Sequence, residues 1–140
     1  MTAFNPTEKQ RKAIASIDSD MPVTAGAGSG KTFVLTHRYL QILAERDAEL
    51  NEILTITFTE KAANQMKKKI RDLVTMFARG EQDREFPPVM KPGMQFPSRT
   101  YWQNLLDNFE KTYISTIHGF CSRLLRERAT EIGLDPEFQV

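Results

Sequence analysis

Ala25-Gly26-Ala27-Gly28-Ser29-Gly30-Lys31-Thr32 is the stretch on which the fold turns. Its glycines open backbone dihedrals that other residues avoid, so successive N–H groups can point inward around an anion with no Cβ in the way. Upstream, Met21 to Ala25 reads as a brief buried strand; downstream, Val34, Leu35, Tyr39, Ile42 and Leu43 recur at helical spacing. Strand, glycine turn and helix, in that order, are the setting a phosphate cradle requires. The helix start adds free N–H groups and the positive end of its dipole. Lys31 would set its ammonium on the β- and γ-phosphates of a nucleoside triphosphate, and the Thr32 hydroxyl would complete the shell of a bridging Mg²⁺ ion. Ala25 stands where the G-x-x-x-x-G-K-[ST] spacing has its first glycine, and a small residue still fits a tight turn there. The plain alternative is a glycine-rich turn followed by an exposed lysine.

Outward from this turn the chain alternates between helical and strand patterns. Thr7 can cap a helix over about Glu8 to Ile17, with Ala13, Ile14 and Ile17 on its apolar face. The acidic stretch Glu45 to Glu52 reads as a solvated connection. It leads into Ile53-Leu54-Thr55-Ile56-Thr57-Phe58, a second strand by its β-branched residues and short length. Ala62, Ala63, Met66, Ile70, Leu73, Val74 and Phe77 then predict an amphipathic helix ending near Gly80. From Gly80 to Ser98 periodicity fails and the prolines cluster, which reads as a loop or insertion. Tyr101 to Phe109 suggests a short helix, Thr112 to Thr116 a third strand, and Ile117 to Ile132 a further helix in which Cys121 reads as a core thiol. Strands alternating with helices predict an α/β fold, a parallel sheet with helices on both faces.

Composition bounds this reading. At 140 residues and 40% apolar content the chain can hold a real core, which excludes disorder and a disulfide mini-protein. A formal net charge of +1 argues neither for nor against a polyanionic partner, so any such case rests on local patches. One is visible: from Glu60 to Arg79 six basic residues face two acidic ones, whereas a solvated helix face is the ordinary meaning of Lys67-Lys68-Lys69. With Cys121 as the single cysteine and no apolar leader or span of roughly 20 residues, the expectation is a cytoplasmic protein with no membrane partner.

Four segments in a fixed order narrow the field: Phe4 to Gln10, the glycine turn, Ile53 to Ala63 (ILTITFTEKAA) and Ile114 to Cys121 (ISTIHGFC). With them the chain resembles the N-terminal part of superfamily I DNA helicases of the UvrD/Rep group, and more specifically their AddA/RecB helicase–nuclease branch. Phe33, where UvrD/Rep proper often carry arginine, tilts toward that branch. The resemblance implies a RecA-like P-loop NTPase sheet, here incomplete, using ATP and Mg²⁺, with residues 1–140 as part of the ATP-binding domain. It assigns Lys31 and Thr32 a catalytic role, Thr32 the Mg²⁺ contact, and Gln10 with Ala25, Gly26, Ala27, Gly28, Ser29, Gly30, Lys31 and Thr32 the nucleotide. An amide suits the adenine edge because it both donates and accepts, although Gln10 alone reads as a solvated helix residue.

The same resemblance assigns Thr57, Phe58, Thr59, Lys61, Thr116 and His118 to single-stranded DNA. Hydroxyls and lysine can hold phosphates and an aromatic ring can stack on a base. The plain readings are a core Phe58, a solvated Lys61 and a capping or core His118. Implied partners are single-stranded DNA, a second RecA-like domain, and a nuclease subunit or domain. Within these residues no apolar strand is followed by the Asp-Glu pair that hydrolysis needs, nor is an arginine finger evident, so the expectation is nucleotide binding without turnover. A small P-loop kinase with the proline-rich segment as its lid, and a non-catalytic nucleotide or single-strand binding module, remain the alternatives.

Overall fold

A computed structural model describes residues 5–46, 48–82, 93 and 95–135. In chain order its helices and strands are α1 (Glu8–Ala15), α2 (Lys31–Arg46), β1 (Leu54–Thr57), α3 (Glu60–Ala78), α4 (Arg99–Asp107), β2 (Tyr113–Thr116) and α5 (Ile117–Glu127), with short 3₁₀ turns before β1, before β2 and after α5.

Local chemistry sets the ends of these helices. Thr7 caps α1 in a capping box: its hydroxyl accepts from the Gln10 N–H, and the Gln10 side chain accepts from the Thr7 N–H. Thr59, Ser98 and Thr116 cap α3, α4 and α5 with their hydroxyls alone, each accepting an orphan N–H of the first turn. α3 stops at Gly80, which takes a left-handed φ of 79°. The Gly80 N–H bonds Phe77 O at 2.9 Å and the Glu81 N–H bonds Met76 O at 3.1 Å, the paired closure that a glycine just past a helix allows.

Burial decides how the helices pack. Ile14 of α1, Leu40 and Leu43 of α2, Ile70, Val74 and Phe77 of α3, Trp102 of α4 and Ile114 of β2 form one core. The α3 positions recur at spacings of three and four, so one stripe of a 19-residue helix meets both α4 and the sheet. β1 and β2 pair in parallel, with Leu54 opposite Tyr113 and Thr57 opposite Thr116. Because side chains alternate across a strand, the buried Ile114 lies on the face that α3 covers, while Tyr113 on the opposite face meets Phe120 of α5 edge to face at 6.1 Å. Helices therefore lie on both faces of the parallel pair.

Three expectations are revised. Met21 to Ala25 belongs to no strand among the described residues: a strand needs ladder hydrogen bonds to a neighbour, and the sheet described consists of β1 and β2. Cys121 is exposed rather than core: α5 buries no residue, and Ile117, Leu124 and Leu125 on its apolar stripe are open as well. The last predicted helix closes at Glu127 and continues as a 3₁₀ turn, Ala129–Ile132, that ends on the left-handed Gly133. Most of the proline-rich segment, residues 83–92 and 94, lies outside the described residues. Among the described residues no helix is long and apolar enough to cross a membrane.

Candidate functional site

The glycine turn has the geometry its composition asks for. Gly28 and Gly30 have φ of 72° and 81°, values that cost a residue with a Cβ. The turn is tightened by the Ser29 hydroxyl, which donates to Gly26 O at 2.6 Å. α2 begins immediately after it, so Lys31 and Thr32 are its first two residues, both exposed. A Cβ built on Gly26 or Gly28 would meet nothing within 4 Å. Glycine there does not relieve packing within the protein; it leaves the backbone N–H groups open to close approach from outside.

A cleft of about 580 Å³ adjoins the turn, lined by Thr7, Gln10, Val23, Ala25, Lys31 and Arg38 among others. That size suits a nucleotide-scale ligand. The Lys31 ammonium donates to Ala25 O at 3.1 Å, which holds the cation over the turn it follows. Gln10 lies beside the turn and is engaged twice: Oε1 accepts from the Thr7 N–H at 2.8 Å, and Nε2 donates to Ser29 O at 3.0 Å. One amide thus serves the α1 cap and the glycine turn together. The residues present fit a triphosphate with its cation. Among the described residues no three His, Cys, Asp or Glu side chains cluster to hold a metal, and Mg²⁺ characteristically takes few protein ligands besides phosphate oxygens and water.

Sequence reasoning missed Arg38. Its guanidinium donates to Ala13 O at 2.5 Å and Ser16 O at 2.8 Å, closing the C-terminal end of α1 against α2 and forming a wall of the cleft. Arg38 lies seven residues after Lys31, two helical turns on the same face, and that spacing was the available signal.

The second group of expected residues gathers where β1 and β2 end and α3 and α5 begin. Phe58 is 98% exposed, which removes the core reading and leaves an aromatic face bare at a strand end. Thr59, Lys61 and His118 are exposed too, so His118 is not a core histidine. Thr116 is 7% exposed; its hydroxyl accepts from the Gly119 N–H and donates to Glu60 Oε1. Glu60 was not singled out from the sequence, though an acid directly after a capping Thr59 is the pattern that marks a helix start. The basic character of α3 is divided. Lys69 sits 5.8 Å from the centroid of the Phe33 ring and Arg71 lies 5.2 Å from that of Phe109, while Lys67 and Lys68 line a groove beside Phe109.

Residues 6–140 match the family described as UvrD/REP helicase N-terminal domain. Over 140 residues the chain is 34% identical to one subunit of an ATP-dependent helicase/nuclease from Limosilactobacillus reuteri, covering 100% of the chain and 9% of that protein. It is 33% identical over 132 residues to the ATP-dependent DNA helicase PcrA of Staphylococcus aureus, covering 94% of the chain and 14% of the relative. The corresponding helicase/nuclease protein of Clostridioides difficile is 32% identical over 136 residues, 96% of the chain and 10% of that protein. The chain thus spans about a tenth of the length of the curated relatives it matches.

Proposed function

Because the chain belongs to the UvrD/REP helicase N-terminal domain family, we propose that it supplies the nucleotide-binding part of an ATP-dependent DNA helicase. Residues 1–140 would form the N-terminal part of a RecA-like motor domain, with an insertion at about 80–98. The observation that carries this reading is the left-handed glycine turn running directly into α2, with Lys31 and Thr32 opening the helix beside a nucleotide-sized cleft. Lys31 would hold the β- and γ-phosphates, Thr32 the Mg²⁺ ion, Gln10 the base edge, and the turn from Ala25 to Gly30 would cradle the phosphates through its N–H groups. Bound ATP supplies the free energy of translocation when hydrolysed.

The strand ends would face single-stranded DNA. Phe58 offers a ring for stacking, Lys61 and His118 can approach phosphates, and Thr57, Thr59 and Thr116 shape the floor between them. A strand moving over this surface, driven by closure against a second RecA-like domain, would make the whole protein a 3′ to 5′ translocase in DNA repair or recombination. The names of the relatives from Limosilactobacillus reuteri and Clostridioides difficile favour pairing with a nuclease subunit or domain. A small-kinase reading loses its ground with family membership.

Residues 1–140 carry no Asp-Glu pair after an apolar strand, so the purified chain should bind nucleotide without turning it over. Titration with a fluorescent ATP analogue in Mg²⁺ should give saturable binding that Lys31→Ala weakens by roughly tenfold or more. Binding unchanged by Lys31→Ala would refute the site, and turnover sensitive to that substitution would refute the division of labour.

A further inference from the structure

Lys61 and His118 sit on different helices, and a side-chain bond ties the starts of those helices together. Glu60, the first residue of α3, accepts the Thr116 hydroxyl proton at 2.6 Å, across 56 positions of sequence. The same Thr116 oxygen accepts the Gly119 N–H at 3.1 Å and so caps α5. A threonine hydroxyl has one proton to donate, and here it donates to Glu60. Thr116, on β2, lies in register opposite Thr57 of β1, whose hydroxyl donates to Thr59 O at 3.0 Å. The two strand ends and the two helix starts are therefore knitted into one unit. The fit is close: a Cβ on Gly119 would stand 3.2 Å from Thr116 Oγ1 and 3.5 Å from Glu60 Oε1.

A carboxylate is an odd choice on a surface read as receiving phosphates, since its charge repels them. Its cost is lowered here because the charge is spent on a short, charge-assisted hydrogen bond and lies at the positive end of the α3 dipole. Lys61 follows Glu60 directly, and His118 comes two residues after Thr116. The Glu60 to Thr116 bond therefore lies next in the chain to Lys61 and within two residues of His118.

We propose that Glu60 is a positioning residue, which through Thr116 holds Lys61 and His118 at the spacing needed to engage one single strand of DNA. The proposal rests on the DNA reading of this surface given above. Labelled oligothymidine, titrated into the purified chain at two salt concentrations and followed by anisotropy, tests it. Glu60→Ala should weaken binding by roughly tenfold, the scale of one charge-assisted hydrogen bond, and should flatten the salt dependence by about one phosphate contact. Glu60→Gln keeps an accepting oxygen and should restore affinity to within about twofold. Thr116→Ser should behave as wild type, and Glu60→Ala combined with Thr116→Val should bind no worse than the weaker single variant, as expected of two partners in one bond.

Thermal melts of each variant separate positioning from folding: a merely structural role lowers the melting temperature and leaves the folded fraction binding at wild-type strength, which overturns the proposal. It is also overturned if Glu60→Gln binds as weakly as Glu60→Ala, or if removing the charge tightens binding. Lys61→Ala and Phe58→Ala provide the separate control. If these weaken binding while Glu60→Ala does not, only the positioning role falls. If none of them changes binding, or the wild-type chain shows no salt-dependent binding, the DNA reading itself falls.

Discussion

Gln10 donates its side-chain amide to the carbonyl of Ser29 at 3.0 Å, joining the first turn of α1 to the glycine turn across 19 positions of sequence. The other end of the same amide closes the capping box on Thr7. The two functions separate by substitution. Gln10→Glu keeps the oxygen that accepts from Thr7 but replaces the donor with a carboxylate facing the Ser29 carbonyl. It should therefore melt close to wild type while losing nucleotide affinity. Gln10→Ala should lose both, with a stability cost of about 1 kcal/mol from the broken cap. Parallel calorimetry and nucleotide titration read the two effects, and equal nucleotide affinity in Gln10→Glu and wild type would remove Gln10 from the site.

The glycines of the turn are not equivalent. Gly28 holds a φ of 72° with open space around it, so Gly28→Ala meets no clash and suffers only the left-handed backbone, a cost of about 1–2 kcal/mol. Gly26 has the same open space without the left-handed φ, so Gly26→Ala should leave the melting temperature unchanged and still impair phosphate binding through its methyl group. Denaturant melts alongside nucleotide titrations distinguish these outcomes.

Phe58 touches almost nothing, being 98% exposed. Phe58→Ala should leave stability within about 0.5 kcal/mol of wild type. If the ring stacks on a base, the same substitution should weaken oligothymidine binding by about 1–3 kcal/mol. A fall in melting temperature of several degrees would show instead that the ring packs in the folded protein.

Tyr39 gives the fold an alkaline weakness. It is 2% exposed, and its buried hydroxyl has no hydrogen-bond partner among the described residues. Burial, with a smaller contribution from Tyr101, pushes its ionisation well above the usual phenol range. The unfolded chain releases that proton near pH 10 while the folded chain retains it, so stability is intact below about pH 10 and declines as pH rises beyond it. Tyr39→Phe should reduce that decline and leave neutral-pH stability equal or higher, since it removes an unsatisfied hydroxyl. Melting temperatures between about pH 9 and 11 test the slope.

The parts of this protein that depend on neighbours in sequence were readable from residue order. Thr7 and the glycine of the α3 terminus act within one turn of chain, and the α3 apolar spacing is a property of its own helix, so capping and periodicity located α1 and α3 to within two residues of their observed ends. The glycine turn was legible for the same reason: backbone freedom, helix start and Lys31 are contiguous.

What depends on distant residues was not. Whether Met21 to Ala25 forms a strand depends on a hydrogen-bonding neighbour, and no property of those five residues reveals one. Cys121 looks like core by spacing, but an apolar stripe is buried only if another surface covers it, and α5 meets the sheet through Phe120 and Tyr113 instead. Residue order determined where the helices start and where a phosphate can be cradled, because those are local backbone properties. The bonds from Gln10 to Ser29 and from Glu60 to Thr116 arose only when the chain brought together groups 19 and 56 positions apart, and sequence separation carries no record of such distances.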